Sequence, residues 1–184
     1  DISWTLTDVE FTKGPFQDVN ITTTTLTPAS AGVGTGVDIT ASAITGINGG
    51  VGWLSTDVGR QIYFNSGYAV ITARTSATVA VATITTAFTN TNAITAWQLG
   101  SFSDTTGFPS CVTFFEQRLV FAGTTNQPQT VFFSKSGDYE NMDANIGGTV
   151  ADSDAIIYTI ASNQVNAIRF MTATRTLVKI GRAH

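Results

Sequence analysis

Histidine, cysteine and charged residues are scarce in this sequence of 184 residues. The one cysteine, Cys111, excludes an internal disulfide and a zinc site built from several cysteines. The one histidine, His184, is the last residue, so we expect no Ser-His-Asp triad, Cys-His pair or multi-histidine metal site within one copy. We therefore predict that the chain is not an enzyme and has no metal or cofactor. Chemistry between two carboxylates is the catalytic class left open.

Charged residues make up only 12% of the chain, and the formal net charge is -4. Disorder of the common kind needs low hydrophobicity, whereas 42% of these residues are hydrophobic, so we predict a folded protein. The acidic balance argues against sequence-specific binding of nucleic acid, which needs excess Lys and Arg. The longest uncharged stretch, Thr75 to Ser103, is too rich in Thr, Asn and Ser for a membrane helix, so we expect no membrane partner.

Threonine, by contrast, is abundant and fills about one position in six. Together with Val, Ile and Phe it favours β-strands, and almost no helical i, i+3, i+4 periodicity is present. We therefore predict an all-β fold of short antiparallel strands. The predicted strands are Ile2–Leu6, Ile21–Leu26, Val37–Ser42, Arg60–Phe64, Tyr68–Ala73, Thr78–Ile84, Ala96–Leu99, Cys111–Phe115, Arg118–Gly123, Thr130–Ser134, Ile156–Ile160, Ile168–Thr172 and Thr176–Ile180.

The composition changes along the chain, which indicates two regions. Residues 19–96 are low in charge, rich in Thr, Ala and Gly, and contain glycine loops at Gly32 to Gly36 and Gly46 to Gly52. The flanks carry similar motifs, Trp4-Thr5-Leu6 before this region and Trp97-Gln98-Leu99 after it. A domain inserted through a surface loop leaves such a pattern because the two ends of the loop lie close together. We predict an inserted β-barrel or sandwich at 19–96, and a host scaffold at 1–18 and 97–184.

Three strands of the host region form a predicted meander. Cys111–Phe115 is followed by the two-residue turn Glu116-Gln117, then by Arg118–Gly123 and, after a loop, by Thr130–Ser134. Both faces of the middle strand are apolar, so it must be covered on both sides. A blade of a β-propeller meets that demand because adjoining blades cover both of its faces. We therefore predict that the scaffold is a partial β-propeller.

A family resemblance rests on segments along most of the chain. These segments are Trp4 to Phe16, Asp57-Val58-Gly59-Arg60, Trp97-Gln98-Leu99-Gly100, Gly107-Phe108-Pro109, Phe115 to Gly123, Pro128-Gln129-Thr130-Val131 and Ser134-Lys135-Ser136-Gly137-Asp138-Tyr139. In this order and spacing they resemble the tail tubular protein B, or nozzle, family of short-tailed bacteriophages. Members are several times longer, which implies that this chain is a fragment truncated at both ends. An opening at Asp1 rather than Met indicates the same.

The resemblance implies a structural role in the virion. It implies that six copies form a ring below the portal and adaptor proteins and enclose the channel through which DNA passes. Tail fibres are further expected partners, and no catalytic residues come with the family. The alternative that stays open is a carbohydrate- or receptor-binding β module of a phage tail.

Carboxylates and arginines are the candidate site residues. We expect some of the acids to face the channel or a seam between subunits, where they would repel the DNA backbone; these are Asp138, Glu140, Asp143, Asp152 and Asp154. The same acids could supply oxygen ligands for calcium, although turn-capping of their own backbone explains them more simply. Arg60 and Arg118 are predicted structural clamps because a guanidinium beside apolar strands needs several acceptors.

Two further interpretations concern sugar chemistry. Glu116 and Asp138 are the candidate pair for a glycosidase, although a solvated carboxylate is ordinary at the predicted turn. Trp53 lies in the loop-like segment Gly52 to Ser55. We expect its side chain to be exposed there and to contact a partner chain or a glycan.

Overall fold

The computed structural model describes residues 3–5, 10–145, 148–161, 166–175 and 178–181. In these residues the predicted all-β class is confirmed, with two short 3-10 turns at Asn48–Gly50 and Ser55–Asp57. The strands are β1 (Leu26–Pro28), β2 (Gly34–Ala41), β3 (Gln61–Phe64), β4 (Gly67–Arg74), β5 (Val79–Thr86), β6 (Trp97–Leu99), β7 (Cys111–Phe115), β8 (Arg118–Ala122), β9 (Thr130–Phe133), β10 (Ile156–Thr159), β11 (Phe170–Ala173) and β12 (Val178–Gly181).

Six strands form one curled antiparallel sheet, the barrel sheet, in the order β1-β2-β5-β4-β3-β6. Side chains on its strands alternate between buried and half-buried positions. In β3, Ile62 and Phe64 are fully buried, whereas Gln61 and Tyr63, which alternate with them, are half-buried. Trp53 and Trp97 join these side chains in the core. Burial of each large apolar side chain contributes roughly 1.5–3 kcal/mol, so this cluster is the main source of stability in the barrel region.

Four later strands form a second antiparallel sheet, the blade sheet, in the order β10-β9-β8-β7. Each strand pairs with the next along the chain, as in the predicted meander. Glu116 and Gln117 join β7 to β8 with φ angles of 45° and 60°. Positive φ at both central positions gives a type I′ turn, whose twist matches that of the flanking strands. The pair β11 and β12 forms a separate two-stranded sheet.

The chain enters and leaves the barrel sheet at one place. The Gln17 amide donates to the Leu99 carbonyl at 2.8 Å, and the Asn20 amide donates to the Trp97 carbonyl at 2.8 Å. Strand β6 also pairs with β3, so the barrel sheet extends past residue 96 to Leu99. The segments before and after the barrel sheet therefore run side by side, as the ends of an inserted region would.

Side chains tie the barrel sheet to the host segments. Nε2 of the Gln61 side chain donates to the Phe11 carbonyl at 2.6 Å, and its Oε1 accepts from the Gly14 backbone amide at 2.7 Å. The Tyr68 hydroxyl donates to Asp143 Oδ2 at 3.0 Å, and Lys13 Nζ lies 4.9 Å from the centre of the Tyr68 ring. Burial raises the pKa of Tyr68, and the charge of Asp143 raises it further. Tyr68 is therefore the neutral hydrogen-bond donor to this carboxylate.

Two predicted strands differ from the structure. Residues 21–25 of the predicted strand Ile21–Leu26 are not in a strand. The Asn20 side chain holds this segment in a non-strand conformation. Its Nδ2 donates to the carbonyls of Thr22 and Thr24, and its Oδ1 accepts from the Thr22 backbone amide. Residues 3–5 of the predicted strand Ile2–Leu6 are likewise not in a strand; its other residues, and Thr176, lie outside the described residues.

Candidate functional site

The most exposed apolar surface of the blade sheet lies on β7 and the loops beside it. Val112 is 55% exposed and Phe114 60%, on the same face of the strand. The ring of Tyr139 lies 5.3 Å from that of Phe114, edge to face, and Phe108 is exposed as well. We call Phe108, Val112, Phe114 and Tyr139 the assembly face. Exposed apolar patches are common where a protein contacts a partner.

A groove of about 720 Å³ continues this surface toward the barrel sheet. Phe121, which lies opposite Val112 in the sheet, forms part of its wall together with Phe11, Phe102 and Phe108. The ring of Phe102 lies 5.6 Å from that of Phe11 and 6.1 Å from that of Phe121. The aromatic side chains of the host region therefore meet on one side of the blade sheet, and they leave this side only partly covered.

The opposite face of the blade sheet is covered by the end of the chain. Val120, Ala122 and Val131 are buried on this face together with Ile168, and Met171 of β11 packs against them. The outer strand β10 is exposed on both faces, with Tyr158 60% exposed. Both faces are thus covered at the centre of the sheet, where Phe132 is fully buried beside Phe102, and both are exposed at the edge strands β7 and β10.

Arg118 holds the turns at the end of the blade sheet. Its guanidinium is buried and donates to the carbonyls of Ser134 and Asp154 at 2.6 Å each, and also to the carbonyl of Asp152. Three carbonyls satisfy a charge that would otherwise be costly to bury. The geometry is that of a structural clamp, because one guanidinium joins three backbone carbonyls.

Arg60 occupies a comparable position in the barrel sheet. It donates to the Gly100 carbonyl, Asn48 Oδ1, Asp57 Oδ1 and Gln17 Oε1 at 2.7–3.0 Å. Burial lowers the pKa of the guanidinium, and its ion pair with Asp57 offsets this in part. Arg60 thereby fastens the 3-10 turns to the segments that enter and leave the barrel sheet.

The five predicted channel or seam carboxylates divide into two groups. Asp138, Glu140 and Asp152 are exposed. Asp143 and Asp154 are buried within the chain, so the expectation that some of the five acids face a channel or a seam stays a prediction for the three exposed ones. Asp143 accepts from Tyr68, whereas Asp154 pairs with Lys135 at 2.9 Å and accepts from the Ala151 amide at 2.8 Å. Both acids fix turns, which is the alternative that the sequence had favoured over calcium binding.

The ion pair between Asp154 and Lys135 shifts the pKa of both side chains. The backbone amide of Ala151 and the hydrogen bond from Lys135 lower the pKa of Asp154. The same hydrogen bond raises the pKa of Lys135. Each group is therefore held in its charged form over a wider pH range than it would be alone.

The prediction of an exposed Trp53 is wrong. Its side chain is fully buried in the core of the barrel sheet, and Arg74 Nε donates to its backbone carbonyl at 2.6 Å. The glycine-rich neighbourhood suggested a loop, but that loop folds back over the core because Gly52 adopts a positive φ against Ala77. Trp53 therefore offers no surface to a glycan or partner.

The candidate glycosidase pair is not enclosed. Glu116 and Asp138 are both exposed, on turns connected by a hydrogen bond from the Gly137 amide to the Gln117 carbonyl. Neither side chain lines the aromatic groove.

Comparison with known proteins adds no family: no family model matches the chain, and no curated protein matches it. Over the described residues, no helix combines the length and apolar character required to cross a bilayer. In that same part of the chain, no three His, Cys, Asp or Glu side chains are grouped in a way that could hold a metal ion.

Proposed function

We propose that the chain is a structural component of a bacteriophage tail, part of the nozzle that encloses the DNA-exit channel. Copies of the chain pack around a ring, with portal and adaptor proteins above it and tail fibres beside it. The resemblance of segments along most of the chain to the tail tubular protein B family supports this proposal. The chain acts there as a wall element of the virion and has no catalytic step of its own.

The observation that carries the proposal is the exposed apolar surface at the edge of the blade sheet. Both faces are apolar and buried at the centre of the sheet, yet Val112 and Phe114 of the edge strand β7 remain more than half exposed. A propeller or a ring of packed sheets needs surfaces that neighbouring sheets cover. The assembly face therefore fits a protein whose final packing is completed by other parts of a larger particle.

The exposed acidic side chains are consistent with a channel through which DNA passes. Three of the acids are exposed: Asp138, Glu140 and Asp152. They lie at the end of the blade sheet that carries the turn between β7 and β8. Carboxylates on a channel wall repel phosphates, so DNA passes without being held. Association of the chain with DNA is therefore transient and independent of sequence.

Light scattering of the purified chain over a range of concentrations tests the proposal. We expect the mass to rise with concentration toward a closed oligomer. Val112→Ser is expected to raise the dissociation constant about tenfold, because it removes apolar area at the centre of the interface. Val33→Ser is the matched control, since Val33 is also more than half exposed but lies directly before β2 of the barrel sheet.

Two results would overturn this assignment. One is a chain that stays monomeric at every concentration and also fails to bind a phage tail adaptor. The other is an oligomer that Val112→Ser and Val33→Ser weaken equally, since the assembly face would then have no special part in it.

A further inference from the structure

A chemically reactive pair of residues lies in the first 3-10 turn of the barrel region. Asn48-Gly49 is the one Asn-Gly pair in the sequence. Glycine has no Cβ, so its backbone nitrogen can approach the side-chain carbonyl of a preceding asparagine closely. Gly49 is exposed, with open space where a Cβ would lie, so water reaches this turn. The pair therefore meets the chemical requirements for deamidation, in which asparagine loses its side-chain amide.

Deamidation at this pair needs only the chain and water. The Gly49 backbone nitrogen attacks Cγ of Asn48, a new C–N bond forms, and the bond between Cγ and Nδ2 breaks. The proton of the Gly49 amide goes to Nδ2, so ammonia leaves and a succinimide ring remains. Solvent water then opens the ring and gives aspartate or isoaspartate. The step consumes no oxidant or reductant.

Three hydrogen bonds fix the Asn48 side chain in the folded protein. Its Nδ2 donates to the Gly52 carbonyl at 3.0 Å and to Asp57 Oδ2 at 2.7 Å, and its Oδ1 accepts from Arg60 Nη1 at 2.7 Å. Cγ becomes tetrahedral during the attack, which turns Nδ2 and Oδ1 out of the plane that these bonds hold. The reaction therefore requires a local opening of the turn.

The partners of Asn48 are themselves held firmly. Asp57 and Arg60 are almost fully buried and pair at 3.0 Å. Arg60 also bonds the segment that enters the barrel sheet, through Gln17, and the segment that leaves it, through Gly100. We call these contacts of Arg60 the Arg60 clamp. An opening that frees Asn48 for the reaction must loosen this clamp.

We propose that Asn48 is a deamidation site that the Arg60 clamp suppresses, and that conversion of Asn48 prevents the clamp from closing again. The product has only acceptors where Asn48 donated, so the Gly52 carbonyl loses its donor and a second carboxylate faces Asp57. Isoaspartate also adds a methylene group to the backbone of this tight turn. The inference goes beyond the structural role in a tail and does not depend on it, because it rests on this turn alone.

Peptide mass spectrometry of the full chain, incubated in mildly alkaline buffer with and without denaturing urea, tests the suppression. We expect conversion at Asn48 to be at least about tenfold slower without urea, because only the open fraction of molecules reacts. Gln17→Ala removes one acceptor of Arg60 and is expected to speed conversion in the native buffer. Gln129→Ala is its matched control, since Gln129 is also half-buried but lies directly before β9 of the blade sheet.

The substitution Asn48→Asp introduces the product directly and tests its effect on the clamp. We expect it to lower the melting temperature, because two carboxylates then meet where a hydrogen bond was. Asn92→Asp is the matched control, since it adds the same charge at an exposed asparagine and is expected to leave the melting temperature unchanged.

Conversion at Asn48 that is as fast in the native buffer as in urea would overturn the proposal, since the Arg60 clamp would then not restrain the reaction. An Asn48 that survives in urea while other asparagines convert would overturn it as well. Equal melting temperatures of Asn48→Asp and Asn92→Asp would show that the clamp closes around the product, against the second part of the proposal.

Discussion

At the scale of single residues, the two buried arginines carry more stability than any exposed charge. We predict that Arg118→Ala lowers the free energy of unfolding by at least about 2 kcal/mol, because it leaves buried carbonyls of Ser134 and Asp154 without a donor. Urea unfolding followed by circular dichroism measures this change. Arg169→Ala, at an exposed position, is the control and is expected to stay within about 0.5 kcal/mol of the unaltered chain.

The Asp154 carboxylate makes the stability depend on pH. Because its pKa is lowered by folding, its contribution is present above the unfolded value and disappears as pH falls through the lower folded value. We predict that Asp154→Asn destabilises the chain above about pH 4 and that the two proteins converge in more acidic solution. Chemical unfolding at a series of pH values tests this. A difference that persists unchanged under acid would mean that the charge of Asp154 contributes nothing.

At the scale of elements, the turn between β7 and β8 can be improved. Gln117 adopts a φ of 60°, which costs a residue with a side chain about 1 kcal/mol relative to glycine. We predict that Gln117→Gly raises the melting temperature, since it removes this strain and interrupts no strand. The reverse change, Gly137→Ala at a φ of 75° with open space around it, is expected to lower the melting temperature. Equal effects of the same sign would contradict the argument.

Strands with strong local patterns could be predicted from the sequence, and those that depend on distant partners could not. Cys111–Phe115 and the turn at Glu116 were predicted at their observed bounds because β-branched and aromatic residues end there at a polar pair. The segment at Gly34 to Gly36 was predicted as a loop. It is the start of β2, with a bulge between Gly34 and Val37 that gives Gly36 its positive φ.

The candidate site residues also divide into those that could be predicted from the sequence and those that could not. Several acceptors around Arg60 and Arg118 could be expected, because buried guanidinium groups always need them. The burial of Trp53 and the contact between Tyr68 and Asp143 could not, because each depends on residues far along the chain. No local spacing in the sequence signals them.

At the scale of the whole molecule, the two sheets are expected to unfold together. Gln61 and Tyr68 bond the barrel sheet to host segments on both sides of it, so neither sheet loses its structure without disturbing the other. Tryptophan fluorescence reports on the barrel sheet through Trp53 and Trp97, whereas circular dichroism reports on both sheets. We predict coincident urea transitions by the two probes. Separate transitions would show that the sheets are independent.

Removal of one hydroxyl tests the strength of this coupling. Tyr68→Phe leaves the buried Asp143 carboxylate with one donor fewer, so we predict a loss of about 1–3 kcal/mol in the free energy of unfolding. Tyr158→Phe is the matched control, because Tyr158 is exposed on β10 and its hydroxyl is solvated. Loss of equal size in both variants would argue against a role for the contact with Asp143.

The close approach of Gln17 and Leu99 has an evolutionary consequence. When the two ends of an insertion already touch, its length and content can change with little entropic penalty to the protein that contains it. Lineages can therefore exchange this whole region as a cassette, by recombination at two neighbouring seams, and leave the surrounding architecture intact. Diversity among related proteins is accordingly expected to concentrate between these seams, at positions other than Arg60, Gln61 and Tyr68, which contact the surrounding segments.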